Sequence, residues 1–196
     1  YNTTIYREMK DTGKLIAPVA DWQTKRRWVK EAFAALESVG YTVGSGYTAV
    51  KDPSKSKFIY RDALWGGADL LGLGVASFSH AAGVHYQNLT EIDDYTAAIK
   101  AGEMPTKRSF RTTEEQRMIR EFILRMKLGR VDAGHFGSKY GVDVLARWED
   151  ELNELTEEGL LTVVGKDIVL ERDGLLCVDN ILHDFFLPEH RTNKLV

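Results

Sequence analysis

Two histidines near the middle of the chain have side chains suited to binding a ligand. His80 and His85 flank a glycine-containing loop between two predicted strands, a position from which side chains can reach a cleft. No pair among the five histidines has the i, i+4 spacing of a helical metal site, and no HExxH motif surrounds them. We therefore predict a ligand-contacting role for His80 and His85 without a metal, with a hydrogen-bonded structural role as the alternative.

An arginine with aromatic neighbours forms a second candidate. Arg61 lies close in sequence to Phe58, Tyr60 and Trp65, which could stack on a planar substrate. A guanidinium pairs with a carboxylate through two parallel hydrogen bonds, so Arg61 suits recognition of an acidic group. Packing in the core is an equal alternative for the aromatic rings.

The apolar run DLLGLGVASFS carries two glycines whose spacing suggests a steric role. Gly72 and Gly74 lack the third glycine and the following helix of a dinucleotide-binding fingerprint. Glycine weakens a strand unless a ligand or a neighbouring backbone must approach closely. We predict that this run forms strand and lies against something flat or bulky.

Composition limits the partners. The chain has 196 residues, of which 43% are hydrophobic and 28% charged, and its formal charge is -3. This balance gives no general attraction to nucleic acid or to an anionic membrane. The single cysteine, Cys177, excludes an internal disulfide and a thiolate-rich metal site. No apolar run is long enough for a membrane span, and we predict a cytoplasmic location. Because the chain begins at Tyr1 without methionine, we expect it to be a piece of a longer protein.

The first half alternates predicted helices and strands, which favours an α/β fold. Thr3 or Thr4 can cap a helix ending at Gly13, and a long amphipathic helix should run from Asp21 to Ser38. Residues 41–60 predict strands with a polar turn at Asp52–Ser54, and residues 69–88 predict two short strands. A further helix should open at Thr90 or Glu91 and end at Gly102.

The second half has the element order of a winged helix. Thr112 and Glu115 predict a capping box for a helix ending at Gly129, and Asp132 and Asp143 predict caps for two more. A hairpin around residues 165–166 and a last helix over residues 175–186 complete the pattern. The third helix carries six carboxylates against one arginine, so it would repel phosphate, and DNA binding is not expected.

Several of these segments resemble one family. The run Asp69–Ser79, followed by Tyr86-Gln87-Asn88, is similar to the DLLGxGVSAxS segment of oxygen-independent coproporphyrinogen III oxidases, which are radical S-adenosylmethionine enzymes. Residues 47–53, YTAVKDP, stand where the family has HFARP. The sequence Glu158-Gly159-Leu160 and the helix through Cys177 follow the family's C-terminal domain. The resemblance covers nearly the whole chain.

The resemblance implies a two-part architecture. Residues 1–104 would be the C-terminal part of a radical S-adenosylmethionine partial TIM barrel with its closing strands, and residues 105–196 a mainly helical, winged-helix-like domain. The family's CxxxCxxC loop, which holds a [4Fe-4S] cluster carrying S-adenosylmethionine, is absent from this chain and is expected in a missing N-terminal segment. Phe78, with Gly72 and Gly74, would contact S-adenosylmethionine.

The resemblance also implies a substrate class. The parent protein would be an oxidoreductase acting on a tetrapyrrole, as in the oxidative decarboxylation of coproporphyrinogen III. The substrate-binding residues would be Arg61, Tyr60, His80, His85 and Tyr86. One alternative is a chaperone-like carrier that binds haem through His80 or His85, and another is a radical methylase. No nucleic acid or membrane partner is expected.

Overall fold

The first half of the chain combines helices with short hairpins. The computed structural model describes residues 4–14 and 20–191, so Thr3 and most of the apolar segment before Asp21 lie outside the described residues. The elements of this half are α1 (Thr4–Thr12), α2 (Trp22–Ser38), β1 (Thr42–Ser45), β2 (Thr48–Val50), α3 (Ile59–Trp65), β3 (Phe78–Ala81), β4 (Val84–Asn88) and α4 (Ile92–Lys100).

The second half begins with a strand that joins the sheet of the first half. Its elements are β5 (Thr106–Arg111), α5 (Glu114–Met126), β6 (Arg130–Asp132), α6 (Ala133–Tyr140), α7 (Val144–Arg147), α8 (Glu149–Glu157), β7 (Leu161–Val164), β8 (Asp167–Leu170), α9 (Arg172–Leu176) and α10 (Val178–Ile181). Two short 3-10 helices, Leu182–Phe185 and Pro188–His190, follow. The chain is therefore a mixed α/β protein, as predicted.

Every strand pair in the described ranges is antiparallel. β1 pairs with β2, β3-β4-β5 form a three-stranded sheet, and β6-β8-β7 form another. Within the middle sheet His80 pairs with His85, and His85 pairs with Phe110. The strands are only three to six residues long, and the loops within β1–β2 and β3–β4 are too short for the crossover that a parallel pair requires.

Several predicted elements are wrong in detail. The residues after Phe58 form helix α3 instead of a strand, and Gly72 and Gly74 lie in a turn before β3 instead of in it. Strand β5 had no counterpart among the predicted elements. The capping box of α5 uses Thr113 and Gln116, one residue later than predicted.

Two predicted helices are interrupted. The helix after Asp143 divides at Trp148 into α7 and α8, and the last predicted helix divides into α9, α10 and a 3-10 turn. The caps at Asp21 and Asp132 and the hairpin β7–β8 are confirmed. The described helices include none that is long and apolar enough to cross a membrane.

The main hydrophobic core lies in the second half. Phe122, Phe136 and Phe185 have no exposed surface, and the Phe122 ring lies 4.3 Å from Trp148, centroid to centroid. Each buried aromatic of this kind stabilises the fold by about 1.5–3 kcal/mol. Helix α5 carries Phe122 into this core, and its residues Gln116 and Arg120 line a cavity shared with the β3-β4-β5 sheet.

A buried carboxylate fastens α5 to its surroundings. Glu121 accepts hydrogen bonds from Arg125, Lys139 and Tyr140 and lies 2.7 Å from His135 Nε2. Arg125 also donates to the Gly66 carbonyl, just after α3. The cluster therefore ties α3, α5 and α6 into one unit.

Candidate functional site

One face of the β3-β4-β5 sheet is open and carries aromatic and polar side chains. Because successive side chains of a strand alternate between faces, the register places these residues together. We call this set the histidine face; it comprises Phe78, His80, His85, Gln87, Arg108 and Phe110.

The open part of the histidine face carries exposed aromatic rings. The rings of Phe78 and His85 stack with centroids 5.5 Å apart and an interplanar angle of 13°. The Arg108 guanidinium lies 5.9 Å from the Phe78 centroid, and its Nε donates to Gln87 Oε1 at 2.9 Å. Phe78 is 47% exposed and Phe110 55% exposed. Exposed aromatic rings in this arrangement offer a stacking surface to a planar ligand.

A cavity of about 410 Å³ opens at one end of the histidine face, between the sheet and the helices of the second half. We call it the sheet–helix cavity. Its apolar wall is formed by Phe110, Ile119, Ile123, Phe186 and Leu187. Its polar wall is formed by His80, His85, Thr112, Gln116, Arg120 and His190. A mostly apolar cleft with a few polar groups is the usual form of a small-molecule site.

His80 is the most perturbed titratable group of the face. Its side chain is buried, and its Nδ1 has no hydrogen-bond partner among the described residues. Burial lowers the pKa of His80, and the nearby charge of Arg120 lowers it further. The imidazole is therefore neutral at pH 7, with a ring nitrogen left unpaired.

The glycine turn before β3 packs against that strand. A Cβ on Gly72 would lie 2.4 Å from the Phe78 carbonyl oxygen, so only glycine fits there. Gly74 has open space but a φ of 90°, which favours glycine for conformational reasons. The buried Asn88 side chain donates to the carbonyls of Gly72 and Gly74 at 3.0 and 2.9 Å. The predicted steric role therefore holds for Gly72 against a neighbouring backbone, whereas Gly74 serves the turn.

Arg61 and Tyr60 lie apart from this site. They belong to α3 and line neither the sheet–helix cavity nor the smaller depression beside Phe78. The Arg61 guanidinium donates to Thr48 at 2.6 Å and to Asp62 at 2.6 Å and 2.8 Å, and it lies 4.6 Å from the Phe58 centroid. Its donors are thus engaged within the chain, while Tyr60 is exposed.

Tyr86 lies between His85 and Gln87 on β4 and pairs with Ser109. It contributes to a depression of about 230 Å³ with Phe78, His85 and Arg108. The structure therefore brings Phe78, His80 and His85 to one face of the sheet, whereas the alternation of side chains places Tyr86 on the opposite face, with Ser79 and Ser109.

Phe110 and Arg120 are among the residues of the site that were missed in the sequence. Phe110 lies on the unpredicted strand β5, where its charged and polar neighbours hide any apolar alternation. Arg120 lies on the predicted amphipathic helix, one residue after the apolar Ile119, and only the register of α5 against the sheet shows that it faces a cavity. Neither residue carries a local motif.

The part of the chain that the structure describes holds no cluster of three or more histidine, cysteine or acidic residues suited to a metal ion. Cys177 is partly buried, its Sγ donates to the Asp173 carbonyl, and burial raises the pKa of its thiol. A single protonated thiol does not fit an iron–sulfur cluster, whose irons are held by several thiolates.

The fold is similar to that of part of one solved protein. It matches the solved structure described as "Coproporphyrinogen III oxidase (HemN) from Escherichia coli is a Radical SAM enzyme", with a TM-score of 0.67 and 20% identity. The match covers 87% of this chain and 43% of that chain.

The particular proteins that this chain resembles are the oxygen-independent coproporphyrinogen III oxidases. The enzyme of that name from Pseudomonas aeruginosa is 26% identical over 132 residues, which cover 63% of this chain and 28% of the relative. No family model matches. The resemblance predicted from the glycine run is confirmed, and the chain spans less than half the length of these relatives.

Proposed function

We propose that this chain is the C-terminal portion of a HemN-like oxidoreductase and that its histidine face forms one wall of the site for a tetrapyrrole. The observation that carries this proposal is an open aromatic face on a chain whose fold matches a coproporphyrinogen III oxidase. A tetrapyrrole is planar and apolar at its centre and acidic at its edge. The stacked rings of Phe78 and His85 would contact its plane.

The chain would bind and orient the substrate without carrying the redox centre. With one cysteine it lacks the ligands of a [4Fe-4S] cluster, which would come from a preceding segment with the CxxxCxxC loop. When bound, the cluster and S-adenosylmethionine would supply the oxidation chemistry. Phe78, half-exposed beside the glycine turn, offers an apolar contact to S-adenosylmethionine.

The domain division proposed from the sequence places the barrel's end and closing strands in residues 1–104. The pairing of β4 with β5 extends the sheet across that boundary. For residues 105–196 we propose a winged-helix-like domain. The strand order β6-β8-β7, with α6 to α8 between β6 and β7, supports it. A cytoplasmic location stays a prediction.

Coproporphyrin III, the stable oxidised form of the substrate class, tests the proposal on this chain. Fluorescence titration should show saturable binding that Phe110→Ala weakens by about two- to tenfold, the equivalent of roughly 0.5–1.5 kcal/mol for one aromatic contact. Val163→Ala, an exposed residue of the β7–β8 hairpin, is the matched control and should leave affinity unchanged. Absence of binding, or equal loss in both variants, would contradict the proposal.

A second candidate function is a haem carrier. It is favoured by the unpaired Nδ1 of His80 and by the exposed His85 ring, whose centroid lies 6.1 Å from that of His80. Haem titration should then give a Soret shift that is abolished by His80→Ala or His85→Ala. A shift retained in both variants would rule out these residues as axial ligands.

A further inference from the structure

The sheet–helix cavity is lined by the positively charged side chain of Arg120 and by no carboxylate that the structure describes. Arg120 lines it from α5, and among residues 4–14 and 20–191 its side chain makes no hydrogen bond and no ion pair. Burial lowers the pKa of Arg120, and the neighbouring charges of Asp69 and Glu121 oppose this only in part. A guanidinium stays protonated even so. A partly desolvated charge with no partner is costly unless a ligand supplies one.

The remaining polar groups of the wall include a donor and an unpaired ring nitrogen that a ligand can use. Gln116 Oε1 accepts from the Thr113 amide at 2.9 Å, which leaves the Gln116 NH₂ group for a ligand. The hydroxyl of Thr112 donates to the Gly83 carbonyl at 2.8 Å, and His80 Nδ1 is unpaired. No carboxylate belongs to the lining that the structure describes. Asp69, whose charge acts on both His80 and Arg120, accepts from the Ala82 amide.

The cavity is continuous with the histidine face. His85 and Phe110 line both the sheet–helix cavity and the depression beside Phe78. A flat ligand lying on the rings of Phe78 and His85 can therefore extend one edge between Phe110 and α5. An acidic group on that edge would reach the side of the cavity lined by Arg120.

We propose that the sheet–helix cavity binds a carboxylate carried on a flat apolar ligand, with Arg120 as its counter-ion and the unpaired ring nitrogen of His80 as a second polar contact. The identity of the ligand, a carboxylated tetrapyrrole, rests on the proposed function. The carboxylate site itself rests on the cavity. The proposal makes Arg120, a residue of the helical second half, a determinant of ligand specificity.

Substitution of Arg120 tests this inference. Arg120→Gln keeps a polar side chain that can donate hydrogen bonds but removes the charge. We expect the affinity of the 196-residue chain for coproporphyrin III to fall at least tenfold, which corresponds to about 1.4 kcal/mol. Because Arg120 has no hydrogen bond to lose within the described structure and its desolvated charge is costly, the melting temperature of the ligand-free chain should not fall.

Arg111→Gln is the matched control. Arg111 is an exposed arginine on β5 and follows Phe110 directly, so its side chain projects from the opposite face of the sheet. It should leave affinity within about twofold, since it contributes only to the general field near the sheet. If Arg120→Gln and Arg111→Gln lose affinity for coproporphyrin III equally, the loss is explained by the change in net charge alone, and the inference is overturned.

A smaller pair of probes separates the site from the tetrapyrrole function. The chain should bind 2-naphthoate, depending on Arg120, and should bind the uncharged 2-naphthylmethanol more weakly. Coproporphyrin III binding that is unaffected by Arg120→Gln would overturn the inference and leave the proposed function standing. If the chain binds 2-naphthoate through Arg120 but does not bind coproporphyrin III, the carboxylate site stands and the proposed function is overturned. Failure of both probes to bind would overturn both.

Discussion

Removal of the buried charge of Glu121 should strongly destabilise the protein. The side chain is 2% exposed and is surrounded by Arg125, His135, Lys139 and Tyr140. Burial would raise the pKa of Glu121, but the hydrogen bonds from these partners outweigh it and lower the pKa to about 2. Glu121→Gln has the same shape, yet it replaces an acceptor of several charged hydrogen bonds by a neutral amide.

The magnitude follows from this pKa. The difference from the ordinary value of 4.5 corresponds to about 3 kcal/mol of stability at neutral pH, in the range found when one partner of a buried pair is removed. For a chain of this size about 3 kcal/mol lowers the melting temperature by roughly 6–12 °C. Calorimetry or circular dichroism at pH 7 measures it.

The pH dependence gives an independent check. The folded pKa is depressed, so the contribution of Glu121 is present above pH 4.5 and is lost as pH falls toward about 2. The gap in stability between wild type and Glu121→Gln should therefore narrow below pH 4.5. Glu115→Gln, on the same helix, is the control, because Glu115 is 49% exposed in its pair with Arg147 and should contribute less than about 1 kcal/mol. Equal melting temperatures of wild type and Glu121→Gln at pH 7, or a gap independent of pH, would refute the reasoning.

Three further results are expected. Gly72→Ala should lower the free energy of unfolding by about 1–3 kcal/mol because the added Cβ meets the Phe78 carbonyl. Gly74→Ala should lower it by about 1–2 kcal/mol because of its left-handed backbone alone. Urea unfolding compares the two variants, and an unchanged stability of Gly72→Ala would contradict the packing. Burial and Arg120 lower the pKa of His80, so the unfolded chain takes up the proton first and wild type should lose stability below pH 6.5. His80→Gln should lose less stability over the same range. Identical profiles of stability against pH for the two proteins would contradict this. Anaerobic reconstitution of this chain should give no stoichiometric iron–sulfur absorbance, since Cys177 is its one cysteine, and a stoichiometric cluster would contradict the proposed division of roles.

The sequence predicted those elements whose signals are local. Asp21 and Asp132 cap their helices as expected, and the Gly165-Lys166 turn forms a hairpin, because each signal acts within a few residues. The capping box lies one residue later than predicted. The Thr112 hydroxyl donates to the Gly83 carbonyl in the sheet, so Thr113 caps the helix instead. Tertiary pairing decided between two similar local choices.

The candidate site was predictable in part. His80 and His85 were singled out from their glycine-containing loop, and the pairing of β3 with β4 brings them to one face. Arg120 and Phe110 depend on how β5 and α5 lie against that sheet, which no local pattern records. Arg61 illustrates the opposite failure: its aromatic neighbours do surround it, but its donors are used by Thr48 and Asp62.

Mapping of the coproporphyrin III site by amide chemical shifts tests the central claim most directly. A ¹H–¹⁵N titration of the 196-residue chain should give the largest shifts along β3, β4 and β5 and in the part of α5 that lines the sheet–helix cavity, around Gln116 and Arg120. The acidic helix α8 and the β7–β8 hairpin should be unaffected. Shifts centred on those two elements, or no saturable shift at all, would contradict the assignment of the histidine face as a tetrapyrrole-binding wall.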